Sequence, residues 1–150
     1  QEVLPSVRAE MPGVRLTITG EPGPNPLPEA QNLILTGKIS SVQSLVASAA
    51  VSLAPIRSGG GTRLKILESF ALRTPVVATS KAAEGLDAQN GKHLLVADTP
   101  QEFAQAVLQL LRNPEHARLL ADNAFHLVKT RYDWQTIFPQ FLDLVDQAAS

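Results

Sequence analysis

Short runs of aliphatic and β-branched residues alternate along this chain with longer segments whose apolar positions recur every three or four residues. That alternation marks βαβ units around a parallel sheet. Five runs predict strands: Val14 to Thr19, Leu33 to Thr36, Val51 to Ala54, Val76 to Ala78 and Leu94 to Val96. Gly20, Gly37 and Pro55 end the first three, and a loop rich in proline and glycine, Pro22 to Pro28, follows the first. The runs are short and read as apolar through their length, so strands buried on both faces of a central sheet are expected. The fold class read from this pattern is α/β, a doubly wound, Rossmann-like parallel sheet.

The helical segments carry their own start and stop signals. Ser41 to Ala49 places Val42, Leu45, Val46 and Ala49 on one side, and Thr62 to Leu72 would turn Leu64, Leu67 and Ala71 inward. Thr99-Pro100 opens a helix with a capping hydroxyl, a proline where no donor is needed, Glu102 at the positive end and an apolar stripe of Phe103, Val107, Leu110 and Leu111. Asn113-Pro114 closes it and starts another, with Leu120, Ala121, Ala124, Leu127 and Val128 inward. Asp133 reads as the cap of a last amphipathic helix, anchored by Trp134 and packed through Ile137, Phe141, Leu144 and Val145. At the amino end, Val3, Leu4 and Val7 belong to a helix with no strand before it, whereas a doubly wound sheet starts with a strand. One domain over residues 1–150, a fragment without its first strand, is the expectation.

Composition narrows the chemistry. With 150 residues, 44% hydrophobic and 18% charged, the chain has the make-up of one soluble domain with a proper core. A net charge of -1 supplies no overall attraction to nucleic acid or an anionic membrane, so any anion site is local. Cysteine is absent, which excludes disulfides, thiolate metal ligands and cysteine nucleophiles and fits a cytoplasmic setting. The longest apolar stretch, Leu45 to Ile56, is interrupted by Ser48 and Ser52 and is too short to span a bilayer. The amino terminus lacks the order of a signal peptide.

The most specific local feature is Leu53 to Glu68, LAPIRSGGGTRLKILE: a strand, a proline turn, three glycines and a helix beginning near Thr62. Glycines let several backbone N–H groups approach an anion, and a helix start adds unpaired donors and partial positive charge. Arg63 can donate two parallel bonds to phosphate, Lys65 supplies a mobile charge, the Thr62 hydroxyl can cap or donate, and Arg57 adds to the field. The spacing excludes a nucleotide-hydrolase P-loop, which needs Gly-Lys-Ser/Thr where this chain has Gly61-Thr62-Arg63. It also excludes the dinucleotide fingerprint, whose third glycine would fall at Leu64. A turn that only reverses the chain, with solvated Arg63 and Lys65, stays open. Glu68 can accept hydrogen bonds from the vicinal hydroxyls of a ribose, or pair with Lys65 three residues before it for roughly a few tenths of a kcal/mol.

These residues resemble the retaining GT-B glycosyltransferases of family 4, also called group 1 glycosyltransferases. The likeness runs along nearly the whole chain: LTITG and its Pro-rich loop, NLILTGKI, AAVSLAPI, GGGTRLKILESFALRTPVVAT, AAEGL, NGKHLLVADTPQEFAQAV and RYDW. It implies the carboxy-terminal, nucleotide-sugar-binding half of that fold, facing an amino-terminal acceptor domain across a cleft. The full-length protein would transfer a sugar from a nucleotide-diphosphate sugar to an acceptor in glycan or polysaccharide biosynthesis; the isolated fragment would be inactive. Any membrane contact would come through the other domain. Carried over by position, Gly20 lines the cleft, and the backbone at Lys38 and Ile39 reads the base. Gly59, Gly60 and Gly61, with Thr62 and Arg63, face the diphosphate or the transferred sugar, and Lys65 adds charge. Glu68 matches the second glutamate of the family's Glu-x7-Glu motif, which holds the ribose. Gly60 stands where the first glutamate belongs, which leaves the sugar unassigned.

The resemblance assigns no catalytic residue, no metal and no cofactor beyond the donor substrate. A sugar-nucleotide epimerase of the same fold would need an acid and a base in the cleft, and none is evident. A non-catalytic nucleotide- or partner-binding module is the alternative that Gly60 keeps open. His93, after the Asn90-Gly91 turn, has no neighbouring His or Cys cluster and reads as structural or solvent-facing; His116 and His126 are weaker still. Glu84 in AAEGL is open between a donor-side carboxylate and a loop cap.

Overall fold

The structure, a computed structural model, describes residues 2–21, 23, 30, 32–61 and 63–149. All five predicted strands form, each as a short core of its sequence run: β1 (Leu16–Ile18), β2 (Leu33–Leu35), β3 (Ser52–Ala54), β4 (Val76–Ala78) and β5 (Leu95–Val96). Between and after them lie α1 (Val3–Glu10), α2 (Gln43–Ser48), α3 (Leu64–Ala71), α4 (Ser80–Ala83), α5 (Pro100–Arg112), α6 (Pro114–Arg131) and α7 (Trp134–Ala149). Every strand pair is parallel, as the βαβ pattern requires.

The sheet is not the single buried layer expected. It comes in two parts, β1-β2 and β3-β4-β5. β4 is buried throughout, but Ile34 and Leu35 of β2 are 43% and 48% exposed. The reason lies in the covering helices. α2 buries no residue, so the stripe read from Val42 to Ala49 covers little of β2. Around β3-β4-β5 the helices do seal both faces, in two apolar clusters. One joins Val7, Val77, Leu95, Phe103, Val107 and Leu110, and the other Ile66, Phe70, Val76, Leu94 and Ala124.

Two further expectations are corrected. α3 begins at Leu64, and of the three residues read as inward Leu67 packs against the second cluster, whereas Leu64 is 67% exposed and Ala71 is exposed; the buried residues of the helix are Ile66, Ser69 and Phe70. The face is set by α6, against which α3 packs, and by the Ser69 hydroxyl, which donates to Ser52 Oγ of β3 at 2.9 Å. On α7 the stripe is present but mostly uncovered: Phe141, Leu144 and Val145 are exposed, and the supposed anchor Trp134 is exposed too. Among the described residues α7 packs principally on α6, so one side of an amphipathic helix faces solvent. Asp133 does act as the cap, its carboxylate accepting the Gln135 N–H at 3.1 Å.

The sequence signals around α5 are met in full. Thr99 and Glu102 form a reciprocal capping box, Pro100 sits in the first turn, and Phe103, Val107 and Leu110 are buried. Asn113 caps α6 by accepting the His116 N–H at 3.0 Å.

Candidate functional site

Pro55 ends β3 at its carboxy edge, and the chain then runs through Ile56, Arg57 and Ser58 into the three glycines. Gly59 and Gly61 adopt φ of 113° and 96°, a region that L side chains avoid, whereas Gly60 does not. Among the described residues, chain neighbours apart, nothing comes within 4 Å of where a Cβ would stand on any of the three. The turn is therefore glycine-rich for its backbone shape, and its outer side is open. Thr62 lies outside the described residues.

Arg63 follows as the N-cap residue of α3, without a side-chain cap bond. It is neither a solvated helix charge nor a freely presented one: its side chain is only 7% exposed, and one guanidinium nitrogen donates to Glu84 Oε2 at 3.2 Å. Its Nε is buried and has no hydrogen-bond partner among the described residues. Glu84 also accepts from Lys81 Nζ at 2.5 Å, so one carboxylate bridges two cations. The bond and charge of Lys81, and then the charge and bond of Arg63, hold the Glu84 carboxyl below the usual carboxylate range. Glu84 thus ties the α4 loop to the glycine turn, a role that its place in AAEGL did not reveal.

Beside this pair, the loops after β3, β4 and β5 form an open pocket of about 450 Å³ lined by Ile56, Arg57, Thr79, Ser80, Lys81, Asp98, Thr99 and Pro100. Pockets at the carboxy ends of parallel strands are where open α/β sheets bind ligands. Sequence reasoning named only Arg57 here. The signal it passed over was Thr79-Ser80, a capping pair directly after a strand: Thr79 Oγ1 accepts the Ala82 N–H at 3.1 Å and starts α4. Thr79 also donates to the Ile56 carbonyl, joining the two loops. Asp98 accepts from the Ser80 N–H at 2.8 Å and its hydroxyl at 2.9 Å, which fixes the third.

The remaining predicted residues are spread more widely. Gly20 and Gly37 follow the carboxy ends of β1 and β2 and bridge, the Gly20 N–H donating to Gly37 O at 3.0 Å; both have positive φ. Lys38 is exposed and Ile39 half-buried just beyond. Lys65 is exposed and Glu68 half-buried on α3, and the ion pairs among the described residues do not include one between them. His93 is structural: it is buried, and its Nδ1 accepts the Gln89 N–H at 2.9 Å. Among the described residues no group of His, Cys, Asp or Glu could hold a metal ion, and no helix is long and apolar enough to cross a membrane.

The family model for group 1 glycosyl transferases matches residues 1–113, three quarters of the chain and the whole stretch that builds the glycine turn and pocket. The chain belongs to the group 1 glycosyl transferases. A 44.6 kDa protein in the cps region of Klebsiella pneumoniae is similar to this group 1 domain, 28% identical over 149 residues, covering 91% of the chain and 38% of that relative. The domain thus spans well under half the length of that relative. Among solved structures, sucrose-phosphate synthase from Thermosynechococcus elongatus superposes with a TM-score of 0.80 at 22% identity, over 99% of this chain and 42% of that one. HepE of Anabaena, solved with UDP and glucose, gives 0.79 at 16% identity over 97% and 44%. At such identities the superpositions establish the fold: α/β with parallel strands, as in the Rossmann-like carboxy-terminal domains of GT-B glycosyltransferases.

Proposed function

We propose that the full-length protein is a retaining GT-B glycosyltransferase of family 4, in which residues 1–150 form one domain that binds the nucleotide-diphosphate sugar donor. The observation that carries this reading is the glycine turn at the end of β3, open on its outer side and set against a pocket that holds Arg57 and Lys81 beside the buried Arg63. Backbone N–H groups at Gly59 to Gly61 would receive the diphosphate, and Arg57, Arg63 and Lys81 would balance its charge without a metal. Lys65, exposed on the first turn of α3, adds to that field. Glu68 would hold the ribose, and the backbone at Lys38 and Ile39, beyond the Gly20–Gly37 bridge, the base. That HepE was solved with UDP and glucose supports a donor of this class.

Transfer also needs an acceptor held opposite the donor, because orientation supplies a large part of the rate. An amino-terminal acceptor domain, in a cytoplasmic enzyme of polysaccharide synthesis, completes the proposal. Gly60, in place of the family's first motif glutamate, favours a second reading, a non-catalytic nucleotide-binding module. Incubating the full-length protein with UDP-, GDP- and ADP-sugars and measuring nucleoside diphosphate release separates the two. Release that increases with an acceptor extract supports the enzyme; nucleotide binding without release supports the module; neither binding nor release removes both.

A further inference from the structure

Glu84 holds a position that its own element does not explain. It is the C-cap residue of α4, with φ of -56° and ψ of 131°, and Gly85 follows at a φ of 81°. The Leu86 N–H donates back to Ala83 O at 3.2 Å, so residues 83–86 form a type II turn. That turn needs glycine at 85 but makes no demand for a carboxylate at 84. Nor does the helix, whose carbonyl end already carries partial negative charge. What the carboxylate does is bridge: its Oε2 accepts from Arg63 at 3.2 Å and from Lys81 at 2.5 Å. A guanidinium stays charged, so the buried Arg63 needs an anion beside it, and Glu84 supplies one from a side chain that is itself 59% exposed. Asp98, the carboxylate that lines the pocket, bonds to Ser80 instead.

The proposed donor site, on which this inference rests, brings a diphosphate to the same two cations. In a nucleotide-diphosphate sugar each phosphate carries a single negative charge. Transfer breaks the bond between the sugar C1 and the β-phosphate oxygen, and the electron pair stays on that oxygen. C1 bonds to the acceptor hydroxyl oxygen, whose proton leaves. The β-phosphate of the product is then a terminal group with a second pKa of about 6, and it carries a further negative charge at neutral pH. Arg63 and Lys81 attract donor and product alike. A carboxylate fixed between those cations repels the ion with the greater charge more strongly. The bond and charge of Lys81, then those of Arg63, hold the Glu84 carboxyl below the usual carboxylate range, so it stays ionised beside either ligand.

We propose that Glu84 is a specificity-determining residue: its carboxylate, held on Arg63 and Lys81, favours the donor, whose β-phosphate is esterified, over the product nucleoside diphosphate, whose β-phosphate carries one more charge. Without Glu84 both cations would be released to the ligand, and the product would gain more from them than the donor. The carboxylate thereby limits how tightly the spent nucleotide is retained.

Titration calorimetry on the full-length protein tests this, with UDP, GDP and ADP each compared with its methyl ester on the β-phosphate, which has the donor's charge without a sugar. In Glu84→Gln and in Glu84→Ala, each checked for folding by thermal melt, the diphosphate is expected to tighten relative to its ester by about tenfold over the wild type, the effect of removing one nearby unit charge. Glu84→Asp, which keeps the charge, is expected to stay within about threefold of the wild-type ratio. Diphosphate and ester weakened to the same degree would mean that Glu84 only positions Arg63; that result overturns the proposal and leaves the donor reading standing. A ratio unchanged within about twofold in the folded variants overturns it as well. A wild-type protein that binds none of these compounds removes the donor reading itself, and this inference with it.

Discussion

At the glycine turn the conformational demand is uneven, and substitutions should expose it. Gly59 and Gly61 sit at positive φ and Gly60 does not, while all three have room for a Cβ. Gly59→Ala and Gly61→Ala are each expected to cost about 1 to 2 kcal/mol in urea denaturation, and Gly60→Ala less than about 0.5. Equal losses at all three would mean that crowding rather than φ selects glycine. The tripeptide was plain in the sequence as a turn; which glycines are obligatory was not, because φ depends on how the chain is led back from Pro55 to α3. Arg63 shows the same limit. Its residue type announced a charge beside the glycines, but its partner Glu84 lies 21 residues on, and only the fold brings the α4 loop to it.

His93 gives a prediction in pH. Burial, and then the charge of Lys92, hold its pKa below the ordinary 6.5, and its Nδ1 must stay unprotonated to accept the Gln89 N–H. The folded state thus takes up a proton less readily than the unfolded one. The stabilisation is full above pH 6.5 and declines as pH falls below that value toward the folded pKa. The carboxyls of Glu84, Glu102 and Asp133 are also held low, so what they contribute is lost in a separate, more acid window. Chemical denaturation between about pH 7 and 5 should show a slope that His93→Gln flattens. An unchanged slope would locate the titration elsewhere.

Among the elements, those with local stop and start chemistry were the most legible. The helix from Thr99 needed only its capping residues and stripe, and it forms as read, so Thr99→Ala is expected to lower stability by about 0.5 to 2 kcal/mol, visible in the melting midpoint. Elements whose placement depends on what covers them were less legible. The stripe on α7 is real, yet Phe141 is 58% exposed while Phe70 on α3 is fully buried. Phe70→Ala should therefore cost about 3 to 5 kcal/mol and Phe141→Ala under about 0.5. Comparable losses would mean that α7 packs more closely than it does here. Periodicity marks which face of a helix is apolar, but it cannot say whether anything lies against it, and the same holds for Ile34 and Leu35 on β2.

At the scale of the whole molecule, the alternation of strand and helix specified the fold class, and the run of motifs from LTITG to RYDW specified the family, now carried by the match over residues 1–113. The division of the sheet could not be read, because strand order is a property of pairing rather than of any single run. Neither could the pocket, which is assembled from three loops that follow β3, β4 and β5. The central claim is that the glycine turn with Arg63 binds the donor diphosphate, and calorimetric titration of UDP, GDP and ADP into the full-length protein and its Arg63→Ala and Arg63→Lys variants tests it most directly. At least one nucleotide should bind, and Arg63→Ala should weaken it roughly 10- to 100-fold, the loss of a charge-assisted hydrogen bond, with Arg63→Lys between the two and all three proteins folded by thermal melt. Affinities within about twofold of one another in folded variants would contradict the account.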